Sequence, residues 1–97
     1  MRILGEDILD EFVRENPKAK KSAETWLGIM KANSLRHFAD LKNAVRSADY
    51  VKPYTVFNIS GNRFRLISKV AYGVQAVQIE GVMSHEEYDS GKWRRKK

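Results

Sequence analysis

The sequence holds no cysteine, so no disulfide framework, thiolate metal site or thiol nucleophile is available to it. Histidine is almost as scarce. His37 and His85 lie far apart and lack the spacing of a helical metal site, and no glycine-rich phosphate loop is present. Metal-assisted hydrolysis, nucleotide hydrolysis and dinucleotide redox chemistry therefore have no support, and the reading is of a protein with no metal site and no cofactor. Long apolar runs are missing too. Met1-Arg2-Ile3-Leu4-Gly5 meets Glu6-Asp7 at once, which leaves no signal peptide or membrane span and makes the cytoplasm the default. With 97 residues, 42% of them hydrophobic, there is material for one modest core and not for two domains.

Charge is present in excess of one sign, and its distribution matters more than its sum of +6. Residues 1–16 carry a net −3, residues 17–75 a net +8, residues 76–91 a net −4, and the tail from Lys92 to Lys97 adds +5. A polyanion has a basic middle and a basic tail to meet, although lysine-rich surfaces are common on proteins that bind no nucleic acid.

Met1 to Leu4 reads as a short strand ended by Gly5, and the acidic pair Glu6-Asp7 suits the positive end of a helix. Ile8, Leu9, Phe12 and Val13 then share one helical face. Asn16-Pro17 breaks that helix and opens a second, whose apolar stripe is Ala19, Ala23, Trp26, Leu27 and Met30. Ser34 is expected to cap a short helical turn carrying Leu35, Phe38 and Leu41, after which Ser47 to Pro53 reads as loop. From Tyr54 the pattern turns to β. Tyr54–Ile59 is a strand, Ser60-Gly61-Asn62 a tight hairpin, and Arg63–Tyr72 a second strand with Phe64, Leu66, Ser68 and Val70 on one face and Arg65, Ile67, Lys69 and Ala71 on the other. Gln75–Val82 makes a third strand, and Ser84 caps a last helical turn with Glu87 as its capping-box partner. The fold class is α+β: two N-terminal helices packed on one face of a small antiparallel sheet, with the other face free for a ligand. Residues 1–91 form the domain and residues 92–97 a basic tail.

The run Val56-Phe57-Asn58-Ile59-Ser60-Gly61-Asn62-Arg63-Phe64-Arg65-Leu66-Ile67, followed by Val82-Met83-Ser84-His85-Glu86-Glu87-Tyr88-Asp89, resembles the signature of the HigB toxins of the RelE-like toxin–antitoxin superfamily. Both halves match in order and spacing. The resemblance implies a RelE-like fold, ribosome-dependent cleavage of mRNA, and neutralisation by a HigA-type antitoxin with a helix-turn-helix domain, DNA being met only through that complex.

RNA carries its own nucleophile, the 2′-hydroxyl, so such an enzyme needs only a base, a stabiliser of the phosphorane charge and an acid for the leaving 5′-oxygen. On this reading Arg65 is the phosphate clamp, because its planar fork donates two bonds to phosphate oxygens. Lys69 adds positive field on the same face. His85 transfers protons, and Tyr88, three residues later, stacks on a base or donates its phenolic proton. Asn58 positions a sugar or phosphate, Asn62, Arg63 and Lys52 extend the RNA path, and Trp93, Arg94 and Arg95 offer an aromatic between cations for ribosomal RNA. Blander readings stand beside these: Arg65 and Lys69 as solvated charge, His85 as a cap, Tyr88 and Asp89 as a sheet-edge seal, Asn58 and Asn62 as hairpin chemistry, and the tail as nonspecific. Two other functions also stand: a toxin of the same scaffold that inhibits DNA gyrase, and a non-catalytic RNA-binding regulator.

Overall fold

A computed structural model describes the backbone of residues 1–95 and the side chains of residues 1–94. Lys96, Lys97 and the side chain of Arg95, all counted in the basic tail, lie outside the described residues. Strand β1 (Arg2–Leu4) leads into α1 (Glu6–Glu15), and a 3-10 turn over Pro17–Ala19 opens α2 (Lys20–Ala32), as the proline break predicts. Then come α3 (Phe38–Ala44), β2 (Asp49–Val51), β3 (Tyr54–Ile59), β4 (Phe64–Ala71), β5 (Ala76–Ser84) and α4 (His85–Ser90). Among the described residues, no helix is long and apolar enough to cross a membrane.

The architecture is α+β, but the sheet is larger than a three-strand meander. Five strands run in the order β1-β5-β4-β3-β2, with β1 parallel to β5 and the other neighbours antiparallel. The stretch expected as loop, Ser47 to Pro53, contains β2, whose Asp49, Tyr50 and Val51 pair with Val56, Thr55 and Tyr54. Ser34 does not cap a helix. Leu35 is fastened in the core because the Gln75 amide brackets it, with Leu35 N–H donating to Gln75 Oε1 (3.1 Å) and Gln75 Nε2 donating to Leu35 O (2.6 Å). The chain becomes helical only beyond it, at Phe38.

Register sorts the side chains. Phe57 and Ile59 of β3, Leu66 of β4, and Val77 and Ile79 of β5 meet Leu9, Ala23, Trp26, Met30, Leu35 and Leu41 from the helices in one core. Glycine is required where α1 joins β1: Gly5 has φ +80°, and a Cβ there would lie 2.8 Å from Ile79 O, so only a residue without a side chain lets α1 approach β5. Between β4 and β5 the ladder slips by one residue. Ile67 pairs with Gly81 and Ser68 with Ile79, leaving Glu80 as a bulge.

The second face is not free. Tyr54, Val56, Asn58, Arg65, Ile67 and Lys69 occupy it by register, yet Val56 is only 3% and Ile67 2% exposed. The chain after β5 lies across them, because Trp93 packs edge-on against Tyr54 (5.3 Å) and stacks on Tyr88 of α4 (5.2 Å, 15° between planes). Its indole N–H donates to Tyr88 O at 2.9 Å. Trp93, expected in a charged tail, belongs to the packed domain.

Candidate functional site

Alternation along β4 sends Arg65 away from the helices, and the β3–β4 hairpin then folds back to hold it. Guanidinium Nη1 donates to Asn62 O (3.1 Å) and Phe64 O (3.2 Å), and Nη2 donates to Asn62 Oδ1 (2.8 Å). Nη2 also lies 3.4 Å from His85 Nδ1, and the charge sits 5.6 Å from the centre of the Tyr88 ring. With three hydrogen bonds from its Nη atoms to the hairpin and 9% of the residue exposed, Arg65 is a fixed buried cation. Its Nη groups are turned onto the hairpin, so it does not present the open fork expected of a clamp.

His85 opens α4. Ser84 Oγ accepts from Glu87 N–H at 3.1 Å, the helix cap read from the sequence. Glu87 does not reach back to the Ser84 backbone as a capping box would; its Oε1 faces Ser84 Oγ at 3.5 Å. The His85 N–H donates to Arg63 O at 2.8 Å, tying the hairpin to the start of α4. Asp89, one turn on, places Oδ2 at 3.3 Å from His85 Nδ1. A single ring nitrogen therefore faces a donor and an acceptor. When Nδ1 carries a proton it donates to Asp89, and when bare it accepts from Arg65; in both tautomers Nε2 is left for a substrate.

Beside this group lies a cleft of about 370 Å³ lined by Lys42, Arg46, Ser47, Asp49, Asn58, Arg65 and Tyr88. Lys42 and Arg46 stand four residues apart along and just past α3, and the Lys42 ammonium is steadied by Ala48 O at 2.7 Å. Three cations against one carboxylate give the cleft a positive field. Asn58 is held at its rim, its backbone N–H donating to Ser47 Oγ (3.2 Å) opposite Arg65 in the β ladder.

Of the residues singled out by sequence, Arg65, His85, Tyr88 and Asn62 come together, with Asn58 alongside. Lys69 does not join them. Four residues along an extended strand span about 13 Å, and its ammonium rests 5.5 Å from the centre of the Tyr54 ring. Arg63 is exposed in the hairpin and contributes its carbonyl, while Lys52 is exposed in the turn between β2 and β3. Arg94 lies over the Trp93 ring at 5.3 Å. Sequence reasoning missed Lys42 and Arg46, which come to one cleft only because the chain leaves α3 in an extended conformation at Val45, and treated Asp89 only as a seal although it stands four residues after His85.

The comparisons with known proteins agree with this architecture. The profile of the HigB toxin family, described as the RelE-like toxic component of a toxin–antitoxin system, matches residues 19–91. Over 92 residues the chain is 26% identical to the mRNA interferase toxin HigB of Escherichia coli K12, covering 92% of this chain and 88% of that one. Identity and coverage are the same for the mRNA interferases HigB of Escherichia coli O157:H7 and of Shigella flexneri. With the greater part of its length matched by the family profile, this chain belongs to the HigB family of RelE-like toxins.

Proposed function

We propose that the protein cleaves mRNA on the ribosome, as the toxin of a pair whose antitoxin is a HigA-type helix-turn-helix protein. Support comes first from one observation: His85 Nδ1 is held between Arg65 and Asp89, and the same Arg65, with Tyr88, lines a cleft carrying Lys42 and Arg46. The names of the relatives, mRNA interferases all three, point the same way.

In this reading Lys42 and Arg46 grip the phosphate backbone, and the fixed charge of Arg65 stabilises the phosphorane. With Nδ1–H turned to Asp89, His85 takes the 2′-hydroxyl proton at Nε2. The 2′-oxygen bonds to phosphorus, the bond to the 5′-oxygen breaks, and Tyr88 gives the leaving oxygen its proton. The products are a 2′,3′-cyclic phosphate and a 5′-hydroxyl, and no metal takes part. So few groups work only if the ribosome presents the linkage already in line, so naked RNA is a poor substrate. The partners are the ribosome and its mRNA, in the cytoplasm, and DNA is met only through the antitoxin.

The test is a translating extract with 5′ ends of the message mapped. His85→Ala, at a residue exposed enough to spare the fold, lowers cleavage by about 100-fold or more. Undiminished cleavage by that variant, or intact transcripts with broken DNA from the wild type, removes the proposal.

A further inference from the structure

A second cavity, of about 330 Å³, opens on the same sheet face beyond Trp93. Tyr54, Trp93 and Met83 line it together with three charged side chains, Lys69, Glu80 and Glu87. The bulge in β5 puts Glu80 at this wall, a re-aiming of one side chain that bulges next to functional sites characteristically achieve. Among the described residues, neither carboxylate nor Lys69 has an opposite charge within ion-pair distance. Two acceptors and one donor, all three exposed, thus line a space with aromatic and thioether walls; Glu87 meets Ser84 Oγ through Oε1 alone, at 3.5 Å, and Lys69 leans on the Tyr54 ring, which leaves both carboxylates with acceptor capacity for a ligand. The Tyr88–Trp93 stack joins it to the cationic cleft, Tyr88 lining the cleft and Trp93 the cavity.

The charges select the ligand. Two carboxylates repel a phosphate, so the backbone of an RNA belongs in the Lys42–Arg46 cleft and a base belongs here. Among the bases, guanine alone sets two adjacent donors, N1–H and the N2 amino group, beside two acceptors, O6 and N7. Adenine and cytosine present one exocyclic amine, and uracil a single N–H. We propose that this cavity is a guanine subsite adjoining the scissile linkage. Glu80 and Glu87 accept from N1–H and the N2 amino group, Lys69 donates to O6 or N7, and Tyr54, Trp93 and Met83 supply apolar contact. The proposal deepens the reading of the protein as an RNA-cleaving toxin and rests on it.

The test measures binding of the full chain to labelled hexanucleotides with 2′-O-methyl sugars, which cannot be cut. A single guanine is compared with adenine or with hypoxanthine, which lacks the N2 amino group. Wild-type protein prefers guanine over either by about tenfold, and Glu80→Gln or Glu87→Gln reduces the preference to about threefold or less. Gly81→Leu is the independent variant: a Cβ at Gly81 meets only Met83 Cε, at an ordinary 3.7 Å, so the position accepts a side chain, and Gly81 lines the cavity that the added branch would occupy. It abolishes the preference while the melting curve stays that of the wild type. Equal binding of the three oligonucleotides by wild type, or a guanine preference that survives Gly81→Leu, overturns the subsite. So does a result in which the variants weaken antitoxin neutralisation and leave the base profile untouched, since the cavity then takes a cationic side chain of the antitoxin. Because the probes are uncleavable, a failure of the nuclease reading in the extract is seen separately from a failure of this one.

Discussion

Replacing Trp93 measures whether the C-terminal segment is structural. Trp93 stacks on Tyr88 and meets Tyr54 edge-on, and each such aromatic contact contributes about 0.5–1.5 kcal/mol. Its indole N–H bond to Tyr88 O adds about 1 kcal/mol. Trp93→Ala therefore destabilises the domain by about 2–4 kcal/mol, a large part of the stability of a chain this size. Trp93→Phe keeps a ring in place and loses the N–H, at a cost of about 1 kcal/mol. Urea denaturation followed by the fluorescence of Trp26, buried in the helical core at 3% exposure, reads both without losing its reporter. The two midpoints must fall in that order with unchanged slopes. A Trp93→Ala variant within about 0.5 kcal/mol of wild type refutes the reasoning, because the burial of Val56 and Ile67 then owes nothing to this segment.

Three further outcomes follow from other parts of the molecule. The Tyr72 hydroxyl is buried without a partner, and burial, then the nearby Tyr50, raise its pKa above the ordinary 10.0. The folded state holds that proton more tightly than the unfolded chain, so the stabilisation is complete below the ordinary value of 10.0 and is lost as pH rises through the folded pKa. Tyr72→Phe gains about 1 kcal/mol at neutral pH and flattens the alkaline fall in a series of melting curves; a fall as steep as wild type's contradicts the assignment. Gly5→Ala loses at least about 2 kcal/mol in thermal melts, from the φ of +80° and the 2.8 Å approach to Ile79 O together. Asp89→Asn slows cleavage by on the order of tenfold in the translating extract without moving the cut sites, because the His85 tautomer is no longer held; an unaffected rate removes Asp89 from the mechanism.

What the sequence revealed was local. The spacing of Ile8, Leu9, Phe12 and Val13, the break at Asn16-Pro17, the hairpin at Ser60-Gly61-Asn62 and the cap at Ser84 depend on neighbours within one turn, and all were legible. The sheet edges were not. β1 pairs with residues 76–78, more than seventy positions away, and β2 is three residues beside a proline with no alternation long enough to read. Face parity was legible as well, since Arg65 and Lys69 do share a side, but parity is not proximity, and Lys69 lies with Tyr54 and not with the guanidinium. Trp93 looked like one aromatic among charges because nothing near it in sequence announces Tyr54 and Tyr88 as its partners. Lys42 and Arg46 sat in the stretch with the weakest periodicity, so their shared cleft emerged only from the fold.

In the proposed cleavage, the arrangement around Arg65 makes an open fork unnecessary. A guanidinium free in solvent would reorganise when charge develops on a phosphate, whereas one whose Nη atoms are already spent on Asn62 and Phe64 cannot turn away. Burial removes competing water and lets its field act at full strength on whatever enters beside Tyr88. Asp89 opposes that charge across a single imidazole nitrogen, and the balance between the two decides which tautomer His85 adopts. The hairpin fixes the cation, α4 carries both the imidazole and the carboxylate, and the bond from His85 N–H to Arg63 O locks the two elements together. A mobile, exposed arginine would bind phosphate in the ground state as well as in the transition state; a fixed one favours the charge that appears only as the bond breaks.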